Sequence, residues 1–204
     1  MEVTVMSATQ SPIDVVSLAA GTSYNKDNVS LARIKSCVKH EHTSVLEHAS
    51  ITFKIEDVSR VLTHQLVRHR LASFVQESQR YCKYTNLADR DDWYVIPDKI
   101  AADEKLVKDF KDAMRHSAAV YEDLLEKGVK AEDARYVLPN AAKTTVTMTM
   151  NVREFFSFLN LRLSTHAQKE IRDLAQMMQE AAANESEQWA QLMDIYAENQ
   201  HIIN

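Results

Sequence analysis

Thr144-Thr145-Val146-Thr147-Met148-Thr149-Met150-Asn151-Val152-Arg153-Glu154-Phe155-Phe156 is the stretch in which the chain changes its period. Up to Asn151, Val146, Met148 and Met150 alternate with Thr145, Thr147 and Thr149, the pattern of a strand with one face in the core. Beyond it, Val152, Phe155, Phe156, Leu159 and Leu163 recur at helical spacing and form a buried stripe. The helix carries a difficulty with it. Arg162 lies seven residues beyond Phe155, so at about 100° per residue it points within about 20° of that apolar stripe. A charge there needs a carboxylate, a cluster of carbonyls or a ligand. Glu170, two turns on, is the partner offered within the chain. Arg153, nine residues before Arg162, falls about 180° away on the same helix. The two arginines therefore serve different ligands or different subunits.

Working outward, Ala49, Ile51, Phe53 and Ile55 alternate with polar residues and predict a second half-buried strand. Asp57 is placed to cap the helix that follows, whose apolar positions are Val58, Val61, Leu62 and Leu66. Glu2 to Thr9 reads as a short strand. Ser11-Pro12 starts a helix that Gly21 is expected to stop, and a second helix runs from about Val29 to His40. Gln79 to Tyr84 looks extended, and Trp93 to Ile96 is a candidate strand before Pro97. A long amphipathic helix is expected from Asp103 to Lys127, stopped at Gly128, with a shorter one from Ala131 to Leu138. Two more amphipathic segments close the chain, with Ile171, Leu174, Met177 and Met178, then Trp189, Leu192, Met193 and Tyr196. No repeat, linker or low-complexity segment interrupts this order, so one domain over residues 1–204 is expected.

Composition narrows the function. The chain has 45% hydrophobic and 26% charged residues, as ordinary globular proteins do. There is no apolar run near about 20 residues and no secretory leader pattern at Met1-Glu2-Val3, which leads us to expect a cytoplasmic protein without a membrane span. Cys37 and Cys82 are far apart and suit a reducing compartment. The glycines are two, Gly21 and Gly128. Glycine-rich phosphate loops cannot be assembled from them, so side chains must hold any nucleotide phosphate. His40 to His48 is dense in potential ligands, but its spacings match no closed zinc pattern; polar contacts or capping are expected there, and no metal.

Against a net charge of -5, the segment from Val58 to Lys83 gathers Arg60, Arg68, Arg70, Arg80 and Lys83, with His64 and His69 among them. Guanidinium groups bind phosphate and carboxylate in two-pronged geometry, and clustering them is unfavourable unless an anion belongs there. Arg68-His69-Arg70 cannot all face solvent from one side of a regular element. A single-stranded nucleic-acid module, with Phe74, Tyr81 and Tyr84 as stacking platforms, would use the same island, although the acidic balance of the chain opposes it.

Arg68-His69-Arg70, seven residues, then Ser78-Gln79-Arg80-Tyr81 resembles the signature of flavin-dependent thymidylate synthases. Other segments similar to the family stand in the right order: His42 to Ala49, His64 to Val67, Ala134 to Pro139, Asn151-Val152-Arg153, and Asn160 to Arg172. The resemblance implies an α+β fold, with a central, largely antiparallel sheet packed with long helices. It implies a homotetramer with shared active sites that methylates dUMP to dTMP, taking carbon from methylenetetrahydrofolate and hydride from FAD reduced by NADPH. Neither nucleic acid nor membrane is among the implied partners. Position by position, Ser50, Arg68, His69, Arg70, Gln76, Asn151, Arg153 and Ser157 would contact FAD. Gln65, Arg68, Gln76, Ser78, Arg80 and Arg135 would hold dUMP, the arginines mainly through its phosphate. Arg162 would sit against the uracil and favour ionisation at N3, which activates C5. Relative to the resembled family, which often has an acid or a different polar residue where Gln76 stands, and Asn or His where Ser157 stands, these are departures, so a homologue that binds nucleotide without turnover is the alternative within the family. Cys82 has only Arg80 and Lys83 nearby in sequence to activate a thiolate, and Ser78 lacks an evident base, so neither is read as a nucleophile.

Overall fold

The structure is a computed structural model and describes residues 1–200. In chain order the elements are β1 (Glu2–Ala8), α1 (Pro12–Thr22), α2 (Leu31–Lys39), a 3₁₀ turn (Thr43–His48), β2 (Ser50–Ser59), α3 (Arg60–Leu66) and β3 (Ser73–Gln76). Then come α4 (Asp98–Ala101), α5 (Glu104–Glu126), α6 (Ala131–Ala134), a second 3₁₀ turn (Arg135–Val137), β4 (Lys143–Asn151), α7 (Val152–Arg162), α8 (Lys169–Glu185) and α9 (Glu187–Asn199). The class is α+β, with an antiparallel sheet in the order β1-β2-β4-β3. Contacts divide the chain into two compact units. Of the described residues, the first holds 1–55, 66–75 and 147–200; the second holds 56–65 and 76–146.

In the first unit the alternation read from sequence becomes the core. Ile51, Phe53 and Ile55 of β2 and Met148 and Met150 of β4 are buried, and the Phe53 ring lies 5.5 Å from that of Phe155 on α7. Across the two strands Thr52 and Thr149 share a hydroxyl hydrogen bond of 2.9 Å. Helix α8 packs on α7, α9 and β1, which buries Ile171, Leu174, Met178, Trp189, Leu192 and Tyr196. The Trp189 indole N–H donates to the Thr9 carbonyl at 3.1 Å, so its one polar atom is satisfied. Gly21 does not stop α1 as expected but lies within it. Its carbonyl accepts from the amides of Tyr24 and Lys26, and a Cβ at this position would run into the Lys26 carbonyl oxygen.

The second unit has its own smaller core of Leu87, Trp93, Tyr94, Met114, Ala118, Tyr121, Ala134 and Ala142. Helix α5 supplies its central residues. Asp103 caps α5 by accepting from the amides of Lys105 and Leu106, and Gly128 follows its end at φ +85°.

Three expectations fail in this unit. Asp57 does not cap α3: it lies inside β2 at φ +58°, pairs with Lys143 at 3.5 Å, and leaves the cap to Ser59, whose hydroxyl accepts from the Leu62 amide at 3.0 Å. Gln79 to Tyr84 is not extended. The Ser78 carbonyl accepts from the amides of Tyr81 and Cys82, closing a turn, and the strand is β3 just before it. Trp93 to Ile96 is not one of the strands: among the described residues it pairs through an isolated bridge between Tyr94 and Ala142.

Candidate active site

In the first unit, the chain leaving α3 makes a tight turn. The His69 amide donates to the Leu66 carbonyl, and the Ala72 amide donates to that of His69. The turn resolves the crowding of Arg68-His69-Arg70. Both arginines project into solvent while His69 is only 6% exposed. Neither Arg68 nor Arg70 has a carboxylate partner among the described residues.

His69 inserts beside α7, where Glu154, Phe158 and Arg162 follow one another at four-residue intervals along one row of the helix. The imidazole packs edge-on to Phe158, 5.0 Å between ring centres. Arg162 Nε–H donates to His69 Nε2 at 2.9 Å, and His69 Nδ1 lies 3.1 Å from Glu154 Oε1. Since Nε2 is accepting, the ring proton of a neutral imidazole sits on Nδ1 and is donated to Glu154. The Glu154 contact has the spacing of a salt bridge. The imidazole is nonetheless neutral near pH 7, because burial first and the Arg162 charge second pull its pKa down to about 4. Burial raises the pKa of the Glu154 carboxyl and lowers that of the Arg162 guanidinium.

The other residues expected at a flavin site gather around the start of α7. Asn151 caps the helix, its side-chain oxygen accepting from the Glu154 amide at 2.9 Å. The Val152 amide donates to the Ala49 carbonyl, which brings Ser50 beside Asn151. Arg153 pairs with Glu47 on the preceding 3₁₀ turn. Ser157 is half-buried on the middle turn of α7. Arg153 and Arg162 thus hold different partners, as their angular separation requires.

In the second unit, Gln76 closes β3 and its amide nitrogen donates to Thr63 Oγ1 at 3.2 Å and Thr144 Oγ1 at 3.3 Å. Beyond it, Ser78 Oγ accepts from the Arg80 amide at 3.3 Å. Gln79 is buried and lines a cavity of about 190 Å³ with Tyr84, Trp93 and Thr144, whereas Arg80 is exposed. Glu132 is the point on which two expected phosphate ligands converge. Its carboxylate receives Arg80 Nη2 at 3.1 Å, and its backbone carbonyl receives Arg135 Nε at 3.1 Å. Gln65 sits on the last turn of α3, half-buried.

A family model described as thymidylate synthase complementing protein matches residues 4–186. This chain belongs to that family. It is 39% identical to the flavin-dependent thymidylate synthase of Pyrococcus abyssi, an alignment covering 94% of this chain and 85% of that one. It is 43% identical to the flavin-dependent thymidylate synthase of Geobacter sulfurreducens, over 86% of this chain and 79% of the relative. Among solved structures it is similar to the flavin-dependent thymidylate synthase of Helicobacter pylori complexed with FAD and dUMP. That likeness has a TM-score of 0.76 and 28% identity, and it covers 96% of this chain and 99% of that one.

The sequence reading of this thymidylate synthase complementing family member missed Glu154, Glu132, Thr63 and Thr144. Asn151-x-x-Glu154 is an ordinary capping pattern, which gave the acid an innocuous role. A signal was present: Glu154 stands four residues before Phe158 and eight before Arg162, on the row that must hold a buried arginine.

Proposed function

We propose that this chain is a flavin-dependent thymidylate synthase, converting dUMP to dTMP with methylenetetrahydrofolate as carbon donor and NADPH as reductant. The observation that carries it is the Arg68-His69-Arg70 turn. Two exposed guanidinium groups without carboxylate partners flank a buried neutral imidazole, and that imidazole holds Arg162. The residues fit FAD. Arg68 and Arg70 answer the charge of its diphosphate without a glycine loop, Ser50, Asn151, Arg153, Gln76 and Ser157 supply polar groups, and His69, with both ring nitrogens engaged, meets it through the backbone of the turn. Bound FAD, once reduced by NADPH, supplies the hydride of the reaction.

Arg68, Arg80 and Arg135 bind the dUMP phosphate, and Gln65, Gln76 and Ser78 orient the nucleotide. Arg162 stabilises negative charge on the uracil at N3, which makes C5 the nucleophile toward the folate carbon. Its partial burial strengthens this effect, because a guanidinium acts more strongly on a developing anion where water is excluded. The chain acts as one functional domain over residues 1–204, in the cytoplasm, as a homotetramer whose subunits share active sites. The family match, running through both units, supports the single functional domain.

Purified protein should be yellow with FAD and should release tritium from dUMP labelled at C5 when folate and NADPH are present. Colourless protein that neither takes up FAD nor releases label overturns the assignment. Arg162→Ala should keep its flavin and lose turnover by about 10²-fold or more, in the range seen when a charge-stabilising donor is removed. Loss of flavin instead would place Arg162 on the cofactor side.

A further inference from the structure

We propose that Glu154 is a positioning residue that sets the tautomer of His69 and, through it, the orientation of Arg162. The inference rests on the function proposed above for its kinetic consequence, though not for its structural one. Three side chains on one helical row, Glu154, Phe158 and Arg162, clasp a single imidazole from a separate segment of chain. Each contact fixes something different. Phe158 meets the ring edge-on and limits its rotation. Glu154 accepts the Nδ1 proton at 3.1 Å. Nε2 is thereby left as a lone pair, and Arg162 Nε–H donates to it at 2.9 Å. That bond fixes the plane from which the terminal guanidinium nitrogens project.

The opposite tautomer reverses the last contact. With the proton on Nε2, an N–H would face the N–H of Arg162, and two donors cannot share a hydrogen bond. The bond from Arg162 to His69 would be lost, and the guanidinium plane it sets would turn. Glu154 is only 6% exposed, and among the described residues its carboxylate meets no other cation than this histidine. A buried acid is unfavourable unless it is bonded. Asn151 already caps the helix through its own side chain, so the Glu154 carboxylate is not needed for that task. What matters on this account is the acceptor oxygen rather than the negative charge, because the imidazole it serves is neutral.

The experiment reads the tautomer directly. Protein labelled with ¹⁵N-histidine, in FAD-free and FAD-loaded forms, is compared as wild type, Glu154→Gln and Glu154→Leu. In wild type the His69 ring should show a protonated Nδ1 and an unprotonated Nε2. Glu154→Gln keeps an oxygen acceptor and should keep that pattern, with turnover within about threefold of wild type. Glu154→Leu should move the proton to Nε2 or mix the two forms, and lower turnover at saturating dUMP at least tenfold while FAD content stays the same. If the Leu variant fails to fold, Glu154→Asp replaces it. Asp keeps the charge but draws the carboxylate back by one methylene, so it should lose the pattern as well. An unchanged Nδ1–H tautomer in the Leu or Asp variant overturns the proposal, as does an equal loss of turnover in Gln and Leu variants with the tautomer intact. If the tautomer shifts as stated and wild type shows no thymidylate synthesis, the proposed function fails while the role of Glu154 stands.

Discussion

Thr63 donates its hydroxyl hydrogen to the Arg60 carbonyl at 3.1 Å, so toward Gln76 it offers only a lone pair. The Gln76 amide nitrogen meets that lone pair as a donor, and it donates to Thr144 as well. A carboxylate here would be opposed by Thr63 unless the hydroxyl gave up Arg60. The amide at position 76 is therefore matched by its surroundings. Gln76→Glu should lower stability by about 1 kcal/mol, the ordinary net value of a hydrogen bond, measurable by urea unfolding; an unchanged midpoint would mean that Thr63 turns freely. His69 makes a second prediction. It takes its proton only near pH 4 when folded, against about 6.5 when unfolded. Between those values the unfolded chain binds more protons, so this group's contribution to stability is present above about 6.5 and is lost as pH falls toward about 4. Glu154, with its carboxyl pKa raised by burial, works in the opposite direction over part of the window. Glu154→Gln removes that compensation. Its melting temperature should fall more steeply than that of wild type between about pH 7 and about pH 5; parallel slopes would remove Glu154 from the account, and a flat profile in the variant would remove His69.

At the scale of elements, what could be read from sequence followed the strength of the local pattern. β4 and α7 were legible because alternation gives way to helical spacing at Asn151, and no other period fits Val146 to Leu163. The burial of Arg162 followed from the same helical geometry. Its bond to His69 did not, because the two lie 93 residues apart and only the folded chain brings them together. The start of α3 was misread for a different reason. Asp57 and Ser59 are both good cap residues two positions apart, and what separates them is the left-handed backbone at Asp57, which keeps the chain in β2 and leaves Ser59 to meet the Leu62 amide. A pairwise test follows. Ser59→Ala should reduce stability by about 1 kcal/mol through the lost cap. Asp57→Gly, which suits a positive φ, should cause no loss of that size. Thermal unfolding of both variants decides it, and the reverse ranking would restore Asp57 as the cap.

For the whole molecule the decisive feature is that α7 presents two arginines proposed for the site on opposed faces. Arg153 turns to Glu47 and is exposed, while Arg162 turns to His69 and is partly buried. On a straight helix nine residues correspond to about 180°, so a single small pocket does not receive both side chains from one copy of α7. If one catalytic centre needs both groups, they come from two copies of the chain, and the proposed homotetramer would be required for chemistry rather than for stability alone. Subunit mixing tests this. Arg153→Ala and Arg162→Ala should each have little activity by themselves. Co-expressed and assembled at random, they should regain about a quarter of wild-type activity, since that fraction of shared sites draws both arginines from intact sources. The regained activity should follow the proportion of hybrid tetramers separated by affinity tags. A mixture no more active than its components would place both arginines of one chain in the same centre, and α7 would have to bend in the bound state to permit it.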